Sequence, residues 1–201
     1  MLLTNGQYEV CMMTARKKAE NELTREMIIQ EAQQQFLQNG FENVSMRAIA
    51  KELRCTHGAL YYHFTNKAEL FYAVVEQNFK ELNGILREAI LQEGTAEEKA
   101  GKMFIDFIKF GLNHQSQYYY MFMKPNEEID PLRQQASFES LEQFKKTLQD
   151  LYDQQLAEEV IFYTFVSLHG FVSHYSGRVN SFEEANKAAE RFSQYLIKAL
   201  E

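Results

Sequence analysis

The stretch CTHGALYYHF, which starts at Cys55, concentrates side chains whose chemistry suits contact with a nucleic acid. Tyr61 and Tyr62 carry hydrogen-bonding tips on rigid rings, and His57 lies four residues before Tyr61, one helical turn away. Gly58 has no side chain, so a base pair or a phosphate could approach the backbone closely at that point. The alternative is a core helix whose aromatic rings serve only packing.

Two short helices must position these side chains. The segment SMRAIAKEL has its apolar residues on one face, which predicts a helix of about two turns with Ser45 as its N-cap. THGALYYHF then predicts a second short helix, with Ala59, Leu60 and Phe64 on its inward face. Two helices joined by a tight turn within about 20 residues form a helix-turn-helix unit, whose second helix can enter the major groove of DNA.

The rest of the chain also predicts helices. Two prolines and nine glycines occur in 201 residues, and no stretch shows the sustained alternation of a β domain, so we predict an all-α fold. The first helix would run from the N-cap Thr24 to a stop at Gly40, and a long helix would follow the N-cap Asn66, with Glu69 completing a capping box. That long helix is expected to end near residue 91, and further helices are expected at about 96–114, 117–123, 130–155, 157–175 and 182–200.

Composition narrows the possible function classes. A hydrophobic content of 45% can supply a core for one large domain or two small ones. The two cysteines are far apart and suggest neither a disulfide framework nor a zinc ribbon, which fits a reducing cytoplasm. No signal-like segment is visible, and the densest apolar stretch, residues 160–172, is shorter than the roughly 20 residues of a membrane helix. We expect a cytoplasmic protein with no membrane partner.

The net charge of −7 is unevenly distributed. Between residues 14 and 67 there are eight Lys or Arg and six Glu, a net of +2, which leaves −9 for the rest of the chain. A mildly basic N-terminal third on an acidic body is typical of a small DNA-binding module joined to a second domain. Ordinary scatter of surface charge is the alternative explanation.

The order of these elements resembles the DNA-binding domain of the TetR family of bacterial transcriptional regulators. The resemblance covers about residues 22–81 and rests on Gly58, Leu60-Tyr61, His63-Phe64 and Lys67 at the family's spacing from Ser45. It implies an N-terminal three-helix helix-turn-helix domain and a C-terminal helical domain for ligand binding and dimerisation. We accordingly expect a flexible arm at 1–20, the DNA-binding domain at 21–67 and the second domain at 68–201.

The resemblance also implies roles for individual residues. Ser45 and Lys67 would hold phosphates, and the free N–H groups at the start of the long helix would favour the same anion. Arg47 is the best candidate for a bidentate contact to guanine, with a solvated surface arginine as the alternative. Tyr61, Tyr62 and His63 would contact the DNA backbone, and Arg47, His57 and Ala59 would lie nearest to base edges. The expected DNA-binding residues are Ser45, Arg47, Thr56, His57, Gly58, Ala59, Tyr61, Tyr62, His63 and Lys67.

Two positions depart from the family pattern. Where the family usually has glycine in the turn, this chain has Arg54. Arg54 must either adopt a left-handed conformation, at a cost of about 1–2 kcal/mol, or the turn must be remodelled. Met46 stands where a small hydroxyl residue is common, which puts a phosphate contact there in doubt.

The last two predicted helices indicate a dimer. The final helix has one apolar stripe that begins with small residues, and the helix before it is apolar nearly all round, so it must be covered on both sides. By resemblance, the two helices would form a four-helix seam with a second copy, although a monomer that buries both is the alternative. A two-fold dimer would place its recognition helices about 34–36 Å apart and predicts a palindromic operator. The expected interface residues are Val160, Leu168, Ala185, Ala189, Phe192 and Leu196.

The middle helices are rich in aromatic residues and methionine, which usually form a core but can also line a cavity. A ligand held there would be small and mostly apolar, aromatic or lipid-like. The candidate wall consists of Phe104, Phe107, Tyr118, Phe122, Phe165 and His169.

Enzymatic and metal-dependent functions have little support. His114, His169 and His174 lack the spacing of metal ligands, and no catalytic or phosphate-binding motif occurs, so we expect no cofactor, no metal and no enzyme. The sequence favours a homodimeric, ligand-responsive transcriptional regulator that represses by binding a palindromic operator through the helix 56–64 and is released by a small apolar effector. The alternative is a small-molecule binding protein with a vestigial DNA-binding module, for which Arg54 would be the sign.

Overall fold

The computed structural model describes residues 23–123 and 130–200, with the side chains of residues 130–134 excepted. Every secondary-structure element within these ranges is a helix, which confirms the predicted all-α fold class. The contacts divide the chain into unit 1, residues 1–71, and unit 2, residues 72–201. The expected N-terminal arm, residues 1–20, lies outside the described residues. No helix of the described ranges is both long enough and apolar enough to cross a bilayer.

Unit 1 contains three helices and the start of a fourth: α1 (Arg25–Asn39), α2 (Met46–Glu52), α3 (His57–His63) and α4 (Lys67–Glu88). The hydroxyl oxygen of Thr24 accepts a hydrogen bond from the Met27 N–H at 3.2 Å, as its predicted N-cap role requires. Gly40, at a φ of 77°, ends α1 where the sequence predicted. Its N–H donates to the Phe36 carbonyl at 2.9 Å, which satisfies one of the free carbonyls of the last turn.

The core of unit 1 is built around three phenylalanine rings. Phe36, Phe41 and Phe71 lie with their ring centroids 4.4–5.6 Å apart in tilted or edge-to-face pairs. Ile49 of α2 and Leu60 of α3 are fully buried in the same unit. Because both short helices contribute to this core, their outer faces are held in fixed positions.

The start of α4 is capped by its own first turn. The Glu69 N–H donates to Asn66 Oδ1 at 2.8 Å, which confirms Asn66 as the predicted cap. The Glu69 carboxylate accepts from the Thr65 N–H at 2.7 Å, one residue earlier than in the usual capping box. The helix ends at Glu88, and a 3-10 turn extends it to Leu91, close to the predicted end.

Unit 2 continues with α5 (Ala96–Asn113), α6 (Gln115–Tyr118), a π-helical turn (Tyr119–Met123), α7 (Asp130–Leu151), α8 (Glu158–Tyr175) and α9 (Phe182–Ala199). These elements agree with the predicted helices except at the end of α7. That helix stops four residues before the predicted residue 155, because Asp153 and Gln154 adopt positive φ values of 51° and 62°.

The core of unit 2 surrounds α5, which packs against α7, α8 and α9. Gly111 permits a close approach of α5 to α8, because a Cβ at this position would lie 2.6 Å from Cγ1 of Val172. Ser193 of α9 donates a hydrogen bond to the Gly101 carbonyl at 3.1 Å. A capping box between Thr95 and Glu98 fixes the first turn of α5.

Candidate nucleic-acid interface and second-unit cavity

The turn between α2 and α3 is a Schellman motif with an arginine at its left-handed position. Arg54 has a φ of 52°, its N–H donates to the Lys51 carbonyl at 3.1 Å, and the Cys55 N–H donates to the Ala50 carbonyl at 3.0 Å. The expected left-handed conformation of Arg54 is therefore confirmed, and the alternative of a remodelled turn is wrong. The non-glycine residue costs conformational energy without changing the geometry of the motif.

The apolar face of α3, the second helix of the motif, packs into the core, and the opposite face is exposed to solvent. The Thr56 hydroxyl oxygen accepts from the Ala59 N–H at 3.2 Å and caps α3, while Leu60 and Phe64 are buried. Tyr62 is 86% exposed, and Tyr61 is 43% exposed. A ring with that exposure contributes little to the core and is accessible to a partner.

Aromatic rings cluster on this exposed face. The rings of His57 and Tyr61 lie 4.5 Å apart, as expected for residues one turn apart, and Tyr62 meets His63 edge to face at 5.3 Å. A Cβ added to Gly58 would have no heavy atom within 4 Å, so packing within the chain does not require glycine there. The helix thus offers rings with polar tips beside a bare stretch of backbone.

The start of α2 adds a hydroxyl and a cation. Ser45 Oγ accepts from the Ala48 N–H at 3.1 Å, which confirms the predicted cap and leaves the hydroxyl proton available to a phosphate. Arg47 is exposed in the first turn of the same helix. Met46 is buried with Ile49 in the core, so it serves packing and offers nothing to a phosphate.

Lys67 contacts the loop between α1 and α2. Its ammonium donates to the carbonyl oxygens of Phe41 and Val44 at 3.0 and 3.1 Å and lies 4.2 Å from the centroid of the Phe41 ring. Two of its three N–H donors are therefore engaged within unit 1. The carboxylate of Glu69 also occupies the start of α4, where an anion was expected. These contacts of Lys67 fasten the loop between α1 and α2, and the third N–H donor remains for the expected phosphate.

One further cation lies beside α3. The guanidinium of Arg25, the first residue of α1, lies 4.7 Å from the centroid of the Phe64 ring. No sequence pattern indicated this proximity, because the two residues are far apart along the chain. The nine other expected residues all lie on α2, on α3 or at their caps, within unit 1.

Unit 2 contains a cavity of about 490 Å³. Three of the predicted wall residues, Phe122, Phe165 and His169, line it. The other three do not: Phe104, Phe107 and Tyr118 are fully buried in the packed core. Periodicity could not distinguish a core ring from a cavity ring, because both face inward. The rest of the lining includes Met121, Met123, Phe138, Leu141, Phe162 and Val166.

His169 is held by a hydrogen bond and by surrounding rings. Its Nδ1 is hydrogen-bonded to the hydroxyl of Tyr118, and its ring lies 4.4 Å from the rings of both Phe122 and Phe165. Burial lowers the pKa of the imidazole from 6.5 to about 4 and raises the pKa of the Tyr118 phenol well above its usual value. Both groups are therefore neutral near pH 7.

The expected dimer face requires a correction. Leu168, Ala185, Ala189 and Leu196 are buried within the chain itself and have no surface to offer a second copy. Val160 and Phe192 remain partly exposed, and the Phe192 ring stacks on Phe171 at 4.9 Å. The exposed apolar residues of α8 and α9 are Phe162, Tyr163, Val166 and Tyr195. The small residues of α9 serve its packing in unit 2.

Within the described residues, no group of three or more His, Cys, Asp or Glu side chains could hold a metal ion. Cys55 is a free thiol beside α3, and burial raises its pKa.

Comparison with known proteins places this arrangement in context. Residues 28–74 match the family model described as bacterial regulatory proteins, tetR family. The regulator UidR of Escherichia coli is 35% identical over 78 residues, which cover 39% of this chain and 40% of UidR. The regulator TtgR of Pseudomonas putida is 39% identical over 64 residues, 32% of this chain and 30% of TtgR. The match thus spans less than half the length of these relatives.

Solved structures extend the likeness over most of the chain. A protein from Mesorhizobium loti, assigned to the TetR family of transcriptional regulators, superposes with a TM-score of 0.71 at 20% identity. The alignment covers 88% of this chain and 94% of that protein. At this level of identity the likeness concerns the fold, which includes the helices of unit 2.

Proposed function

Since residues 28–74 belong to the TetR family of bacterial regulatory proteins, we propose that this chain is a homodimeric repressor of transcription. It binds a palindromic operator in the cytoplasm through α3, and a small, mostly apolar effector in unit 2 releases it. The observation that carries the proposal is the exposed ring face of α3, where Tyr62 is 86% exposed on a helix whose other face is seated in the core.

Some residues around α3 would position the protein on the duplex through phosphate contacts, and others would contact the bases. Ser45, Tyr61 and Tyr62 carry hydroxyl donors suited to phosphate oxygens, which fix the register on the duplex. Arg47 has a guanidinium able to bind guanine O6 and N7 together in the major groove. His57 and Ala59, in the first turn of α3, lie nearest to base edges, as is usual for the N-terminal residues of a recognition helix.

Two copies are needed to read a palindrome. The surface proposed for dimerisation is the exposed apolar face of α8 with its neighbour on α9, formed by Phe162, Tyr163, Val166 and Tyr195, of which Phe162 and Val166 also line the cavity. Burial of such a face between identical helices is favourable at about 25 cal/mol per Å² of apolar surface. A two-fold axis through it would separate the two recognition helices by about one turn of DNA.

Release by an effector requires a link between the two units. Helix α4 begins in unit 1 at Lys67 and ends in unit 2 at Glu88, so it belongs to both. An effector that binds one position of α4 more tightly than another shifts the population toward that position. The shifted dimer would no longer match the spacing of the half-sites.

The vestigial-module alternative gains no support from Arg54. The arginine that motivated it adopts the left-handed position of an intact Schellman motif.

Paired tyrosine variants test the proposal. Tyr62→Ala removes an exposed ring from α3, and Tyr119→Ala removes a half-exposed ring from unit 2 as the matched control. Binding to duplex DNA, measured by fluorescence anisotropy, should weaken about tenfold or more for Tyr62→Ala and stay unchanged for Tyr119→Ala. Equal affinity of the two variants would show that Tyr62 of α3 does not contribute to DNA binding.

A further inference from the structure

We propose that the cavity of unit 2 selects an uncharged apolar molecule that carries one hydrogen-bond acceptor, and that this acceptor binds the Nε2–H of His169. The inference rests on the proposed function only in treating this cavity as the effector site. It goes further by naming the polar atom that the cavity presents to a ligand and the ligand charge that the cavity disfavours.

The tautomer of His169 follows from its partner. Among the described residues, the only hydrogen-bond partner of the Tyr118 hydroxyl is Nδ1 of His169. Tyr118 is fully buried, and a buried hydroxyl proton without an acceptor is costly, so the phenol donates and Nδ1 accepts. In a neutral imidazole the remaining nitrogen, Nε2, then carries the proton. Tyr118 thus fixes His169 as a donor.

The donor belongs to a residue that lines the cavity. His169 lines the cavity, and its Nδ1 is engaged by Tyr118, so Nε2 is the atom left for a ligand. The rings of Phe122 and Phe165 flank the imidazole at 4.4 Å, and the Phe107 ring meets it edge to face at 5.3 Å. This enclosure restricts the orientation of the ring, so the direction of the N–H is set before a ligand arrives.

The lining also determines the charge of the ligand. None of the described residues that line the cavity is Lys, Arg, Asp or Glu, and Ser137 is the other polar lining residue besides His169. Among the described lining residues an anion would find no cationic partner to offset the cost of leaving water. Because burial lowers the pKa of His169 to about 4, the imidazole does not supply that charge near pH 7.

The size and softness of the cavity suit a compact ring system. Its volume of about 490 Å³ lies within the range of small-molecule sites, roughly 300–1,000 Å³. Met121 and Met123 line it together with aromatic rings, and methionine adapts to varied apolar shapes. A neutral bicyclic aromatic ketone has the required combination of area, shape and one acceptor.

Three matched probes test the inference in the full chain. Acetylnaphthalene has a neutral acceptor, ethylnaphthalene has nearly the same shape without one, and naphthoate carries a negative charge. Their affinities for the wild-type protein should follow the order ketone, hydrocarbon, anion, with about a fivefold preference for the ketone over the hydrocarbon. A preference for naphthoate, or no preference for the ketone, would overturn the inference.

His169→Phe is the matching variant, because it keeps a ring of similar size and removes the donor. It should bind the hydrocarbon as the wild type does and lose the preference for the ketone. Should this variant fail to fold, nitrogen NMR of wild-type His169 provides the same test. We expect a protonated Nε2 and an unprotonated Nδ1, with the Nε2–H signal shifting when the ketone binds; the opposite tautomer would contradict the inference.

DNA binding by the same preparations separates this inference from the proposed function. A protein that binds duplex DNA but shows no preference for the ketone would refute the cavity assignment and leave the DNA-binding role intact. A protein that prefers the ketone through His169 but never binds DNA would support the cavity assignment and refute the regulator.

Discussion

The ammonium of Lys67 lies 3.0 Å from the carbonyl oxygen of Phe41 and stands over the ring of the same residue. A second hydrogen bond from the ammonium, to the carbonyl of Val44, links the start of α4 to the loop that follows α1. Both carbonyls belong to the loop between α1 and α2, where the Phe41 carbonyl also accepts from the Val44 N–H at 3.4 Å. We therefore expect Lys67 to contribute more to the stability of unit 1 than to the phosphate contact that the resemblance implied.

Replacement of this lysine should affect stability more than the number of ionic contacts with DNA. Lys67→Met removes two hydrogen bonds and the ring contact, and should lower the free energy of unfolding by about 1–3 kcal/mol in urea titrations. The slope of log K against log salt for DNA binding should stay unchanged. A fall in that slope of about 0.9 would show that Lys67 binds a phosphate after all.

Replacement of Arg54 by glycine should stabilise the protein. Its left-handed conformation costs about 1–2 kcal/mol, which glycine does not incur, while glycine adds about 0.5–1 kcal/mol of chain entropy to the unfolded state. Arg54→Gly should therefore raise the free energy of unfolding by about 0.5–1 kcal/mol. Denaturant unfolding of this variant beside Arg47→Gly, where the φ is helical, provides the comparison. Destabilisation of both variants alike would mean that Arg54 is not strained.

We expect the lack of a side chain at Gly58 to matter for DNA binding and not for folding. Because a Cβ at this position meets nothing within 4 Å, Gly58→Ala should leave the thermal midpoint equal to or above that of the wild type. The same methyl group would stand between the helix backbone and the DNA, so affinity in anisotropy titrations should fall. Unchanged affinity would mean that the backbone of α3 does not approach the duplex closely.

The sequence predicted best those features that depend on neighbouring residues. The caps Thr24, Ser45 and Asn66 each accept a hydrogen bond from the backbone N–H three residues on, so a short stretch of sequence contains the whole interaction. The left-handed position of Arg54 was predicted from the glycine that the family usually has in the turn. The two hydrogen bonds of Lys67 could not be predicted, because their partners lie 23 and 26 residues earlier in the chain.

In unit 2 the sequence pattern could not distinguish one inward-facing environment from another. An apolar stripe shows that a side chain is buried, but it does not say whether a helix of the same chain, a second copy or a cavity covers it. Leu196 and Phe104 both belong to such stripes and both lie in the core of the chain itself. Exposure in the folded chain, which the sequence does not contain, identified Phe162 and Val166 as the outer residues of α8.

The corrected dimer surface can be tested with a charge. Phe162 is 48% exposed on α8, and Leu91 is 82% exposed at the end of the 3-10 turn, away from α8 and α9 in the sequence. Phe162→Glu should convert the dimer to a monomer in sedimentation velocity runs, because a carboxylate would be buried against its own copy. Leu91→Glu should sediment like the wild type. A Phe162→Glu variant that remains dimeric would exclude this face.

His169 predicts a dependence of stability on pH. The unfolded imidazole takes up a proton near pH 6.5, whereas the folded one does so only near pH 4, so between these values the unfolded state binds more protons. The free energy of unfolding should therefore fall as the pH is lowered through this window, by about 3 kcal/mol in all. His169→Phe loses the hydrogen bond to Tyr118 at every pH and should lack this part of the slope. Parallel curves for the two proteins would contradict the lowered pKa.

Selection of duplexes from a random pool by the purified protein, at two salt concentrations, tests the central claim most directly. The account predicts recovery of a palindrome whose half-sites are centred about 10–10.5 base pairs apart, the spacing of two recognition helices related by a two-fold axis. Recovery of no shared sequence, with weak binding that disappears as salt rises, would contradict the account, because it would show attraction to phosphates without reading of bases.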